Sequence, residues 1–171
     1  MNYCYWESPI GDLLLAGEDQ GLVYIGFPNG KGKVTPATDW ALKTDYFEEA
    51  STQLGEYFDG KRREFDLLLA PHGTPFQLEV LRALIRIPYG QTCTYKDIAM
   101  SIGRDKAVRA VGAANGRNPL PIVIPCHRVI GANGSLTGFG GGLATKKFLL
   151  DLESGLHQGE GLFTKAAQGC P

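Results

Sequence analysis

The segment Ile124-Pro125-Cys126-His127-Arg128-Val129-Ile130 has the clearest capacity for chemistry in the chain. A thiolate is a nucleophile, and a nearby imidazole can take the thiol's proton and lower its pKa. Neighbours on a strand point to opposite sides, so Cys126 and His127 need a bend or a bridging water to cooperate. The competing reading is a buried structural cysteine beside a surface histidine. A second candidate is Arg109, which shares a helix face with Val108 and Gly112. Gly112 keeps that face low, so a partner can approach closely. The opposite face, Ala107, Ala110, Val111 and Ala114, suits packing on preceding helices. The competing reading is a solvated arginine on an ordinary helix. A third candidate is Tyr95, at a helix start where unpaired N–H groups attract phosphate. A tyrosine there can stack on or hydrogen-bond a base, or can simply pack.

Several elements must position these residues. Residues 8–27 read as a hairpin of two apolar runs, 13–16 and 22–27, around the turn-rich GEDQG. Residues 28–38 are loop by composition. Helical spacing appears in the second half of 40–58, through Phe47, Ala50, Leu54, Tyr57 and Phe58. FDLLLA (65–70) reads as a strand ending at Pro71. Thr74, Pro75 and Gln77 then form a helix-start signal with a capping box. Thr94 caps a short helix, Tyr95 to Ile102, stopped by Gly103. Asp105 caps another, Lys106 to about Asn115. The pair is a helix-turn-helix candidate, and Thr94, Tyr95, Val108, Arg109 and Gly112 are its candidate DNA contacts. PIVI (121–124) is a buried run, 131–142 a Gly-rich loop, and 143–153 an amphipathic helix. The tail from Ser154 reads as frayed, and Cys170 within it has no evident role.

The chain has 171 residues with 43% apolar content, enough for a real core. No apolar run reaches the roughly 18–20 residues of a membrane span. The N-terminus has no secretory-signal pattern. Cys4, Cys93, Cys126 and Cys170 form no CxxC pair. That argues against a disulfide framework or zinc ribbon and makes a reducing cytoplasm the default location. The net charge of −1 hides an asymmetry. Residues 1–74 carry 6 Lys/Arg against 12 Asp/Glu, and residues 75–171 carry 11 against 6. This is either chance clustering or a basic C-terminal domain facing a polyanion.

A nucleophile next to a DNA-binding motif poses a problem of access, because a base in a duplex must be flipped out before its atoms can react. Arg109 is placed to fill the vacated stack. TPFQ (74–77), IPYGQTCTYKDIA (87–99), KAVRAVGAANGRNP (106–119), IPCHRVIG (124–131) and TGFGGGLATKKFLLDLE (137–153), with the weaker SPIGDLLLAG (8–17), span nearly the whole chain. Together these segments resemble the O-6-alkylguanine-DNA alkyltransferase family.

The resemblance implies a small N-terminal α/β domain, ribonuclease-H-like, over 1–72. It implies a mostly helical C-terminal domain over 73–171, with the helix-turn-helix and the acceptor cysteine. It implies direct-reversal DNA repair by a monomer that binds the minor groove without a cofactor. The alkyl group would pass from O-6-alkylguanine to Cys126; activity on O-4-alkylthymine stays open. His127 matches the base that reaches the thiol through a water, and Glu153 the carboxylate that orients it. Tyr95 matches the residue that contacts the flipped guanine, Arg109 the intercalating finger, and Asn118 the residue that holds the turn before the active site. The pocket would involve the carbonyls of Cys126 and Val129, the N–H of Gly140, Phe139 and Lys146. Phe139 stands where many relatives have tyrosine, and Gly140 where some have serine. Some relatives hold a zinc that Cys4 and His72 could help bind, but Glu18 replaces a needed cysteine, so no metal is expected. Relatives that only mark lesions lack the acceptor cysteine, which is present here. Two rival readings remain: a transcription regulator with a silent Cys126, and a multiple-turnover cysteine hydrolase.

Overall fold

The computed structural model describes residues 1–155; the tail expected to fray, with Cys170, lies outside the described residues. The chain opens with β1 (Asn2–Ser8), β2 (Gly11–Glu18) and β3 (Gly21–Gly26) in an antiparallel meander. The two-residue β4 (Ala41–Leu42) pairs parallel to β1, so the sheet order is β3-β2-β1-β4. The hairpin expected over 8–27 is therefore β2–β3. The sequence reading missed β1, whose aromatic and polar residues (NYCYWES) lack a continuous apolar run.

Residues 65–70 are not a full strand. They touch the sheet at one parallel bridge, Leu22 to Leu69. The Leu22 N–H donates to Leu68 O at 2.8 Å, and the Ala70 N–H to Leu22 O at 2.8 Å. Gln53, on α1 (Glu48–Phe58), holds the same segment. Its side chain accepts from the Asp66 N–H at 2.8 Å and donates to Asp66 O at 2.9 Å. A side-chain amide thus replaces the ladder that a strand neighbour would provide. Gly21 makes the close approach possible. Its φ is +137°, and a Cβ there would lie 2.5 Å from Leu68 O.

The second half begins at α2 (Pro75–Ile85), with the expected Thr74–Gln77 capping box. α3 (Tyr95–Ser101) has a capping box from Thr94 and Asp97. α4 (Val108–Gly116) follows after a turn, but its N-cap is Ala107 with no side-chain cap, so Asp105 does not play the expected role. The exposed side of α4 also differs from the reading. Arg109, Ala110, Ala113, Gly116 and Arg117 are exposed, while Val111, Ala114 and Asn115 are buried. Ala110 therefore belongs to the outer face. α5 (Leu143–Glu153) ends the described chain.

A parallel pair, β5 (Cys93–Thr94) with β6 (Val129–Ile130), ties the start of the helix-turn-helix to the residues just after Cys126. The two halves share one apolar core, in which Leu13, Leu54 and Tyr57 join Leu84, Ile98, Val123 and Leu149. The Ile25 N–H also donates across to Pro119 O at 2.9 Å. Cys4 and Cys126 are free thiols. No described helix is long and apolar enough to cross a membrane.

The Gly21 contact makes a direct prediction. Gly21→Ala combines an unfavourable φ with a backbone clash, so it should destabilise the protein by about 2 kcal/mol or more. Urea unfolding followed by circular dichroism would measure it, and a change below about 0.5 kcal/mol would refute the strain.

Candidate active site

Cys126 opens a single 3-10 turn, Cys126–Arg128, between Pro125 and β6. The turn supplies the bend that a flat strand would deny to a Cys-His pair. Its approach is tightly held. Ile122 is a buried β-branched residue at φ 76°, a conformation that costs energy and persists only where surrounding contacts enforce it. Asn118 provides such contacts: its Nδ2 donates to Ile124 O at 2.7 Å, and its Oδ1 accepts from the Leu120 N–H at 3.0 Å. The Asn118 amide also favours the charged form of the Cys126 thiol.

The Cys126 side chain is buried, and burial pushes its thiol pKa up to about 11, against the Asn118 hydrogen bond and the Lys146 charge. The sequence reading expected the pKa to be lowered by the imidazole. Desolvation of the thiolate wins instead. At rest the group is a thiol, so nucleophilic attack requires a base.

His127 follows Cys126 in the chain and is fully buried. Its Nε2 lies 2.6 Å from Glu153 Oε1, and its Nδ1 has no partner. A buried unpartnered ring nitrogen is uncommon, and this one is free to accept a proton. Asn115 Oδ1 is also buried without a partner, while its Nδ2 donates to Cys126 O at 3.4 Å. Both unpartnered atoms belong to residues next to the thiol, one in sequence and one through that hydrogen bond.

Glu153 gathers more donors than the sequence suggested. Oε1 accepts from His127, from Arg128 Nη2 at 2.8 Å and from the Tyr57 hydroxyl at 2.8 Å. Oε2 accepts from Arg128 Nε at 2.9 Å and from the Gly90 N–H at 3.3 Å. Burial alone would raise the carboxyl pKa. The charges and hydrogen bonds of His127 and Arg128 outweigh it and hold the group well below the usual carboxylate range. Arg128 donates its remaining bond to Ile87 O at 2.7 Å. Arg128 and Tyr57 were not singled out from sequence. A charged residue inside the apolar stretch around 129–130 was a usable signal for Arg128. Tyr57 is indistinguishable in sequence from any other core-facing aromatic on its helix.

Lys146 is fully buried and bridges two segments. Its Nζ donates to Val129 O at 2.5 Å and to Thr137 O at 3.0 Å. Burial brings its pKa down to about 8, partly opposed by Cys126. Tyr95 reaches the same loop: its hydroxyl donates to Thr137 O at 3.3 Å and accepts from Thr137 Oγ1 at 3.0 Å. Gly112 lies under the Tyr95 ring, where a Cβ would sit 3.8 Å from Cδ1. Gly112 and Val108 are thus half-buried, Thr94 is engaged as a cap, and Arg109 is the expected contact residue that stands free.

A cleft of about 250 Å³ opens beside Cys126. Asn118, Phe139 and Gly140 line it from the second half, and Phe27, Lys31 and Gly32 from the first. The Gly32 N–H donates to Gly140 O at 2.9 Å, and Phe27 packs edge-on against Phe139 at 5.4 Å. The Gly140 N–H has no acceptor among the described residues. Sequence reasoning missed this contribution from the loop after β3.

The buried charge cluster makes a stability prediction. Glu153→Gln removes the only carboxylate that faces the buried Arg128 among the described residues and should cost roughly 3–5 kcal/mol. In the native protein the Glu153 contribution is complete above the ordinary carboxyl pKa of about 4.3 and is lost progressively as the pH falls below it. Denaturant unfolding of both proteins between about pH 3 and 7 checks this; parallel pH dependences would rule it out.

The chain is similar to proteins of known kind along most of its length. Residues 1–71 match the family model "6-O-methylguanine DNA methyltransferase, ribonuclease-like domain". Residues 75–155 match "6-O-methylguanine DNA methyltransferase, DNA binding domain". The methylated-DNA–protein-cysteine methyltransferase of Methanosarcina acetivorans is 55% identical over 153 residues, covering 90% of this chain and 98% of the relative. The constitutive enzyme of that name from Bacillus subtilis is 46% identical over 155 residues, 88% of this chain and 94% of the relative. Among solved structures, Mycobacterium tuberculosis OGT in complex with DNA is 47% identical. It superposes with a TM-score of 0.85 over 90% of this chain and 93% of the other. With both family models matched and 46% to 55% of the aligned residues shared with curated relatives covered almost end to end, the chain belongs to the 6-O-methylguanine DNA methyltransferase family.

Proposed function

We propose that the protein repairs DNA by direct reversal, moving an alkyl group from the O-6 position of guanine to its own Cys126. The observation that carries this is the arrangement at that thiol. A buried, protonated cysteine opens onto a cleft, and a buried histidine beside it has one ring nitrogen on Glu153 and the other unpartnered.

The chemistry follows from that arrangement. His127 Nδ1, through one water, removes the thiol proton, while Glu153 fixes the opposite nitrogen as the donor and stabilises the imidazolium. The sulfur attacks the alkyl carbon in line. An S–C bond forms, the C–O6 bond breaks, and the electron pair leaves with the purine. The proton taken from the thiol is returned to the guanine, so no other reactant is needed. Negative charge develops on the purine as it leaves. The Gly140 N–H and the Tyr95 hydroxyl are the donors that favour its departure. Lys146 stabilises the thiolate and holds the Val129 carbonyl and the Thr137 loop in place. The carbonyls of Cys126 and Val129 keep acceptor capacity for the guanine amino group beside their Asn115 and Lys146 bonds. Phe139 forms a wall of the cleft.

The product is a thioether. Unlike an acyl-cysteine it offers water no activated carbonyl, so each protein acts once. This separates the reading from a cysteine hydrolase.

DNA is engaged through the helix-turn-helix. The outer face of α4, with Ala110, Ala113 and Gly116 between Arg109 and Arg117, is low and cationic at both ends. Such a face suits close approach to the minor groove. Arg109 occupies the stack left by the flipped base. The protein acts as a monomer in the cytoplasm and needs no cofactor.

Two experiments test the proposal. Intact-mass spectrometry with an oligonucleotide bearing one O-6-methylguanine should show one added methyl per chain, mapped to Cys126. Cys126→Ala should bind the oligonucleotide and gain nothing; methylation of that variant would refute the acceptor assignment. Arg109→Ala should slow transfer from duplex DNA by about tenfold or more while leaving transfer from the free alkylated base nearly unchanged. Equal losses on the two substrates would remove the finger role.

A further inference from the structure

The N-terminal half contributes a side chain to the innermost hydrogen-bond cluster of the site. The Tyr57 hydroxyl, on α1, donates to Glu153 Oε1 at 2.8 Å across 96 positions of sequence. We infer that Tyr57 is a positioning residue of the alkyl-transfer site, setting through its hydroxyl how strongly Glu153 draws a proton onto His127. This rests on the alkyl-transfer reading of Cys126.

Three observations support it. First, Tyr57 has no freedom to point elsewhere. It is fully buried, and its ring is wedged among Phe58 at 5.4 Å, Phe65 at 5.5 Å and Tyr89 at 6.1 Å. Second, the hydroxyl is a permanent donor. Burial, with the nearby Glu153 charge, raises its pKa well above the ordinary tyrosine value. Third, it acts on the same oxygen as the histidine. Oε1 is shared by Tyr57, His127 Nε2 and Arg128 Nη2. Each donor withdraws electron density from that oxygen, so each weakens its hold on a proton at His127.

The other groups facing Glu153 leave a distinct role for this hydroxyl. Arg128 is anchored by both carboxylate oxygens and by Ile87 O. Tyr89 faces the carboxylate from the loop after α2, with Arg63 and Arg128 over its ring at 5.4 and 5.7 Å. The Gly90 N–H bonds only Oε2. Tyr57 is thus the neutral donor on the oxygen that His127 uses. Without it, the negative charge on Oε1 concentrates toward the imidazole and favours the protonated ring. A protonated ring cannot accept the thiol proton.

The test is the pH profile of single-turnover methyl transfer, with protein in saturating excess over an oligonucleotide carrying O-6-methylguanine. Tyr57→Phe keeps the ring and removes the donor. Its acid limb should move up by about half a unit to one unit. Its rate on that limb should fall roughly three- to tenfold, with the alkaline plateau and DNA affinity unchanged. Replacing Tyr57 with 3-fluorotyrosine supplies a stronger donor of nearly the same shape, and its acid limb should move down. If Tyr57→Phe does not fold, as judged by its melting curve, the fluorinated protein alone decides. Acid limbs that coincide with the wild type, with or without a uniform loss of rate, would reduce Tyr57 to a packing residue and overturn the inference. A wild type that transfers no methyl would instead overturn the alkyl-transfer reading beneath it.

Discussion

One buried carboxylate organises the protein. Glu153 ends the last described helix, yet its oxygens are reached from α1, from the loop after α2 and from the turn that carries Cys126. A lone ion in that position would be far too costly, so the donors and the charge require each other. The fold can accordingly be viewed as a set of segments that each deliver one donor to the same point. The β5–β6 pair and the shared apolar core keep those segments in register. Fixing Glu153 also fixes which ring nitrogen of His127 stays open.

The nucleophile illustrates a balance between protection and reactivity. A thiol held near 11 by burial is inert toward casual oxidation and chance electrophiles, because those reactions need the thiolate. On the proposed reading, reactivity is created by the substrate's arrival, when His127 takes the proton and Lys146 offsets the new charge. A protein spent by a single reaction has reason to keep its nucleophile quiet until then. The strained backbone at Ile122, braced by Asn118, holds this arrangement ready before any substrate is bound.

Much of the site could be read from the chain because it is local. Cys126 and His127 are neighbours, and the Thr74 and Thr94 caps depend on residues three positions away. What escaped was long-range. Nothing in the spacing of Tyr57 distinguishes it from other core-facing positions of α1, and its role appears only when position 153 is brought beside it. Asp105 looked like a cap by residue type, but the backbone at Ala107 begins the helix instead. Ala110 was assigned inward because it is small, although on α4 a small residue is equally suited to the outer face. The 65–70 segment has the short apolar run of a strand, but a side-chain amide and a single bridge hold it rather than a ladder. The thiol's pKa could not be judged without its burial.

The two loops that meet over the cleft constrain each other through their glycines. A Cβ at Gly30 would lie 2.7 Å from Gly140 O, one at Gly32 2.7 Å from Phe27 Cδ2, and one at Gly141 3.0 Å from the Phe27 ring. In terms of sequence drift, neither loop can change alone. A side chain gained after β3 displaces the segment bearing Gly140, and one gained at 141 displaces Phe27 and the strand behind it. Lineages of this protein can therefore vary the cleft only by paired steps across both halves, and an exchange of N-terminal halves between distant relatives would disturb the pocket even where every residue of the second half is kept.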